Sequence, residues 1–318
     1  IIVVCLLYAL VALQGFIVIL HFMGKGYIIS LSFELTFLSF RVLISFSQSA
    51  FKWVLPSRKN LDEALVTGAA SGIGRLISLR LAERFVVLFF NYCCRLVLWD
   101  VNKEGLDAVG KKIKTAGGEV HSYKCNLRDK TEIHETAASV KEDVGEVSLL
   151  VNNAGIVSGK KFMDCTDEEI SATFDVNSLA HFWTIREFLP SMRHRKRGHI
   201  VSVASIAGKT GLAGAVDYCS SKFAAVGLME ALRQELSSVG STGIQFTTVC
   251  PSLITTGMFE GVKFRFPHLL GFSILTPEYA ASKVVDAIEK NQTILMMPRG
   301  AYFSTALQQY VNSSLIHI

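Results

Sequence analysis

The chain has 318 residues, of which half are hydrophobic and 19% charged, with a mean hydropathy of +0.37. That much apolar material can fill a core and excludes intrinsic disorder. Of the formal net charge of +5, +4 falls in residues 1–60 (Lys25, Arg41, Lys52, Arg58 and Lys59 against Glu34). The +1 left for the remainder offers no broad basic face to nucleic acid.

The front of the chain is apolar. Residues 1–24 carry no charge, and Ile1–Met23 is long enough to span a bilayer as a helix. A second stretch, Tyr27–Leu55, is more polar and reads as a span, a re-entrant segment or an interfacial one. Residues 1–55 are expected to attach the chain to a membrane. Lys52, Arg58 and Lys59 are expected to keep the domain that follows, 56–318, on the cytosolic side. Seven cysteines (5, 93, 94, 125, 165, 219 and 250) form no CxxC pair and no histidine cluster has metal spacing, so reduced thiols and no metal are expected.

After Pro56 the pattern becomes one of alternating elements. Strands are predicted at Ala64–Thr67, Arg95–Trp99, Glu119–Cys125, Val147–Val151, His199–Ala204, Ile244–Cys250 and Thr293–Met297. Helices are predicted at Ile73–Phe85, Glu104–Thr115, Lys130–Val144, Asp167–Arg193, Val216–Val239 and Pro277–Lys290. The basic run Arg193–Arg197 reads as a helix end that complements the dipole, with a localisation signal or lipid contact as the alternative. The alternation predicts an α/β fold, a Rossmann-type doubly wound parallel sheet with helices on both faces.

The first strand runs into Thr67-Gly68-Ala69-Ala70-Ser71-Gly72-Ile73-Gly74, which opens a helix. In a dinucleotide turn, Gly68 permits the bend, Gly72 lets backbone approach a pyrophosphate, and Gly74 lets helix pack on strand. The helix N-terminus faces the phosphates. Asp100, closing the second strand, would accept the ribose hydroxyls of adenosine and repel a 2′-phosphate. Neither Ala69 nor Ala70 supplies a cation for that phosphate, so both features favour NAD. A helix-capping role is the alternative for Asp100. Asn126, ending the third strand, meets the adenine or makes a plain turn.

Tyr218 and Lys222 are four apart in a helical stretch and share one face; Ser205 closes a strand, and Asn177 sits in an earlier helix. Together they suit hydride transfer at an alcohol carbon. A tyrosinate needs a pKa far below about 10, and a nearby ammonium plus a nicotinamide cation would supply the shift. Serine would hold the substrate oxygen, and asparagine a water for proton relay.

The set TGAASGIG, NNAG (152–155), Asn177, Ser205 and YCSSK (218–222) resembles the short-chain dehydrogenase/reductase family over about residues 61–298. GIVSGKKFMDC (155–165), FDVNSLAHFWT (174–184), TTGMFEG (255–261) and FKWVLPSRKN (51–60) resemble its epidermal retinol dehydrogenase 2 branch. The resemblance implies Tyr218 as proton acceptor in oxidation, and Lys222 as the group that lowers its pKa and binds the nicotinamide ribose. It implies Ser205 on the substrate oxygen, Asn177 in the proton relay, and Asn153, Ala154 and Gly155 on the adenine-ribose side. Thr256 would meet the carboxamide, although Ser252 stands where the family usually has glycine.

A lipophilic alcohol is the implied substrate, all-trans-retinol before a steroid, at the endoplasmic reticulum or lipid-droplet surface. Homodimerisation stays open. The apolar stretch Gly257–Thr276 would cover the substrate. A serious departure lies in the spacing: Gly74 to Asp100 is 26 residues where about 20 is usual. The excess, near Phe85–Arg95, lengthens either the helix or the loop beside the adenine pocket. It leaves a catalytically inactive membrane or lipid-droplet protein as the rival reading.

Overall fold

Seven short strands, β1 (Glu63–Thr67), β2 (Arg95–Asp100), β3 (Val120–Lys124), β4 (Leu149–Asn152), β5 (Gly198–Val203), β6 (Ile244–Pro251) and β7 (Ile294–Met297), form one sheet in the order β3-β2-β1-β4-β5-β6-β7. Every pairing is parallel. Parallel strands need helical crossovers, and these cover both faces, which explains why the strands read as nearly continuous apolar runs. The computed structural model describes residues 62–88, 95–257, 274–302 and 305, all within one compact unit, Lys59–Ile318. The anticipated membrane segment 1–55 and most of the Gly257–Thr276 stretch lie outside the described residues. Among the described residues, no helix is long and apolar enough to cross a membrane.

Side chains alternate along each strand, so each strand feeds two cores. One core joins Ala64, Val66, Leu96, Leu98, Leu149 and Val151 to α1 (Gly72–Leu88), α2 (Lys103–Thr115) and α7 (Pro277–Glu289). The other joins Leu65, Val97, Trp99, Leu150 and Ile200 to α3 (Lys130–Asp143), α5 (Ala180–His194) and α6 (Val216–Ser238). Element ends fall within two residues of the predicted bounds, with two exceptions.

The first exception is α1, which continues to Leu88 and so takes up part of the Phe85–Arg95 excess; residues 89–94 lie outside the described residues. β2 still enters in register, Arg95 opposite Glu63 and Trp99 opposite Thr67, with a 2.5 Å ion pair between Arg95 and Glu63. The second is the predicted helix Asp167–Arg193. It divides into α4 (Asp167–Phe174), one π-helical turn (Asp175–Leu179) and α5. A single wide turn is invisible to apolar periodicity. Here it faces α6, where Ser178 Oγ donates to the Ser221 carbonyl (2.7 Å) and Asn177 Nδ2 donates to Ser221 Oγ (3.0 Å).

The basic run begins inside α5, with Arg193 and His194 in its last turn. Arg195 donates to the Val147 carbonyl (2.9 Å), and Arg197 pairs with Asp62 (2.6 Å), which ties α5 to the entries of β4 and β1.

Phe188 on α5 is fully buried, and its ring meets that of Trp99 at 6.0 Å between centroids, tilted by 56°. Phe188→Ala should cost about 3–5 kcal/mol through lost contact and the cavity left behind. Denaturant unfolding of the purified chain measures this, and a loss below about 1 kcal/mol would show that α5 is not held through this pair.

Candidate active site

β1 and β4 are neighbours, but the chain leaves them in opposite directions, β1 toward β2 and β4 toward β5. Such a reversal opens a crevice outside the carboxyl ends of the strands. A clasp closes its floor. Asn153 Nδ2 donates to the carbonyls of Thr67 (2.9 Å) and Gly68 (3.3 Å). In return, Thr67 Oγ1 accepts from the backbone N–H groups of Asn153 (3.0 Å) and Ala154 (3.1 Å). Thr67 is 1% exposed, so its hydroxyl serves the clasp. Gly68 turns the chain at φ +64°, and a Cβ on Gly74 would stand 2.1 Å from the Gly68 carbonyl oxygen. Neither position accepts a side chain.

Gly72 begins α1, whose first turn carries no acid. Among the described residues, the heavy atom nearest to an added Cβ on Gly72 would be Thr256 Cγ2 at 3.9 Å, so Thr256 borders the space above the turn. Ser71 is exposed, and Ile73 packs half-buried on the first core. Asp100 reaches the same turn despite the long connection before it. Its Oδ2 accepts from Ala70 N–H (3.0 Å) and its Oδ1 from Asn102 N–H (2.9 Å). A helix N-terminus, a glycine bend and a carboxylate at the end of β2 fit a dinucleotide. Asn126, just beyond β3, closes a local turn by accepting from Arg128 N–H (3.1 Å).

On the other side of β4 the catalytic candidates converge. Tyr218 and Lys222, one turn apart on α6, are 5% and 3% exposed. Ser205 follows β5, caps the short turn Ile206–Gly208 by accepting from Ala207 N–H (3.1 Å), and shares a hydrogen bond with the Tyr218 hydroxyl. Lys222 Nζ donates to the Val203 carbonyl (3.0 Å) and lies 5.7 Å from the centre of the Tyr218 ring. Asn177 is fully buried. Its Oδ1 accepts from Ile156 N–H (2.8 Å), and its Nδ2 donates to the Ile156 carbonyl (2.9 Å) as well as to Ser221. Its amide therefore braces the loop after β4 against α6. A Cβ on Gly155 would stand 3.2 Å from Asn177 Oδ1 and 3.3 Å from Lys222 Nζ, so that loop reaches the lysine as well.

Within the chain, the electrostatics run opposite to the expected depression of the tyrosine. Burial pushes the Tyr218 hydroxyl up to about 12, opposed by its bond to Ser205, and burial pushes Lys222 down to about 8. Each group loses the water that favours its charged form.

Sequence reasoning did not single out the polar layer beneath. His181 Nδ1 and Ser202 Oγ are hydrogen-bonded at 3.1 Å, and Thr184 Oγ1 donates to Asn152 Oδ1 at 2.8 Å. Asn152 and Ser202 are register partners on β4 and β5. The one available signal was His181, four residues after Asn177 in a helical stretch.

Residues 62–264 match the short chain dehydrogenase family. The chain is 44% identical over 273 residues to epidermal retinol dehydrogenase 2 of Homo sapiens, covering 85% of each protein. It is 37% identical over 278 residues to 17-beta-hydroxysteroid dehydrogenase 13 of Mus musculus, covering 86% of this chain and 84% of that one. A solved metagenomic short-chain oxidoreductase in complex with NADP is similar at a TM-score of 0.60 and 29% identity, over 74% of this chain and 96% of the other. The matched span contains both the glycine turn and the tyrosine–lysine helix, and the chain belongs to the short-chain dehydrogenase family.

Proposed function

We propose that this chain is a membrane-attached, NAD-dependent dehydrogenase of a lipophilic alcohol, with all-trans-retinol as first substrate. The observation that carries this reading is the Tyr218–Ser205 hydrogen bond backed by Lys222, at the same sheet edge as the glycine turn. A nicotinamide dinucleotide bound at that turn supplies the hydride acceptor. Gly68, Gly72, Gly74 and Asp100 would hold its adenosine diphosphate half, and Lys222 and Thr256 its nicotinamide half.

The rest of the chemistry falls to side chains. Ser205 Oγ holds the substrate oxygen, and Tyr218 Oη takes its proton. A phenol raised to about 12 is protonated at neutral pH, which suits proton donation in the reverse, carbonyl-reducing direction. Oxidation needs positive charge beside it, and the Lys222 ammonium is the cation the chain provides. Turnover toward the aldehyde should rise with pH until Lys222 loses its proton.

Asp100 supports NAD over NADP: a carboxylate already anchored to the turn would face a 2′-phosphate, and Lys103, the nearest following cation in sequence, is paired with Asp107 (2.9 Å). The retinoid assignment is supported by the 44% relative and a steroid alcohol by the 37% one. The complete Ser-Tyr-Lys set favours an enzyme over an inactive scaffold. Residues 1–55 support attachment at the endoplasmic reticulum or lipid-droplet surface, with the catalytic domain in the cytosol.

Membranes expressing the chain should turn over all-trans-retinol with NAD. Tyr218→Phe should lower the rate by about 10²–10⁴-fold while NADH binding persists. A higher kcat/KM with NADP would overturn the coenzyme assignment, and a preference for steroids over every retinol would move the substrate to the second reading. Protease treatment of sealed microsomes should digest the domain without detergent; full protection would place it in the lumen.

A further inference from the structure

His181 takes no part in the chemistry just described, yet it stands close to it. It lies near the start of α5, is 2% exposed, and bonds through Nδ1 to Ser202 Oγ on β5. The next residue along β5 is Val203, whose carbonyl accepts from Lys222 Nζ at 3.0 Å. The strand at 202–203 is thus gripped from two helices, by an imidazole from α5 and an ammonium from α6.

His181 Nε2 is buried with no hydrogen-bond partner among the described residues. Leaving such a group buried and unpaired is destabilising. An apolar side chain would avoid that cost, so stability alone does not account for an imidazole here.

We propose that His181 is a positioning residue for Lys222. Through Ser202 it fixes the Val203 carbonyl that holds the ammonium, and so sets the pH at which the lysine gives up its charge. The inference rests on the dehydrogenase reading and deepens it.

Among the described residues, the titratable groups beside Lys222 are Tyr218 on its own helix, His181 from α5 and Cys250 from β6, with Lys209 near Cys250. Burial holds Cys250 up at about 11, a neutral thiol. Burial and the neighbouring lysine hold His181 down at about 3, a neutral imidazole throughout the working range. His181 therefore exerts no cationic repulsion near neutral pH. What its removal takes away is the anchor of an acceptor, which disfavours the ammonium and lowers the lysine's pKa.

The test uses the full chain in membranes. NADH binding is followed by nicotinamide fluorescence across pH, alongside kcat/KM for retinol oxidation. In His181→Leu and in Ser202→Ala, which cuts the same bond from the strand side, the alkaline limb of both profiles should move down by about one unit. His181→Asn, which keeps a polar atom near the Nδ1 position, should restore it. Limbs that stay in place or move upward in both His181→Leu and Ser202→Ala would overturn the proposal, even if thermal stability fell. Absence of NADH binding by the unaltered chain would instead sink the dehydrogenase reading itself.

Discussion

The clasp between the ends of β1 and β4 is the constraint on which the remaining geometry depends. Two adjacent parallel strands stop at the same level, and their chains part. The backbone groups left at the parting need partners, because unpaired buried amides are costly. Asn153 and Thr67 provide them reciprocally. With that floor closed, Gly68 can bend, Gly74 can bring α1 against the turn, and Asp100 can reach Ala70 from β2. The long connection between α1 and β2 leaves this arrangement intact, because the register of β2 on β1 decides where Asp100 stands.

On the other side of β4 the same logic is applied to buried charge. Tyr218 and Lys222 are shielded from water, and burial favours the neutral form of each. The chain offsets this with directed hydrogen bonds, Ser205 to the phenol and the Val203 carbonyl to the ammonium. Both groups are thereby displaced from their ordinary values, the phenol upward and the ammonium downward. The π turn at Asp175–Leu179 brings Asn177 and Ser178 onto α6 together, and so locks the helix that carries both groups.

The helix and strand order, the two-sided burial of the sheet, the glycine turn, and the spacing of Tyr218 from Lys222 were legible in the sequence. Each is a local pattern: strands buried on both faces must be apolar throughout, and a four-residue step must share a helix face. Asp100 and Ser205 were legible as polar residues closing strands, and Asn153 through the resemblance of the NNAG motif at 152–155.

What only the tertiary structure decided is how these residues spend their hydrogen-bonding capacity. Thr67 and Asn177 look like site groups in the sequence, yet their side chains serve the clasp and the brace. The break in the predicted helix Asp167–Arg193, the layer formed by His181, Ser202, Thr184 and Asn152, and the raised rather than lowered Tyr218 all arise from contacts between elements far apart in the chain. The physical reason is that desolvation and partner choice are properties of a packed interior. The sequence specifies which groups are buried there, but only the fold sets which of them meet.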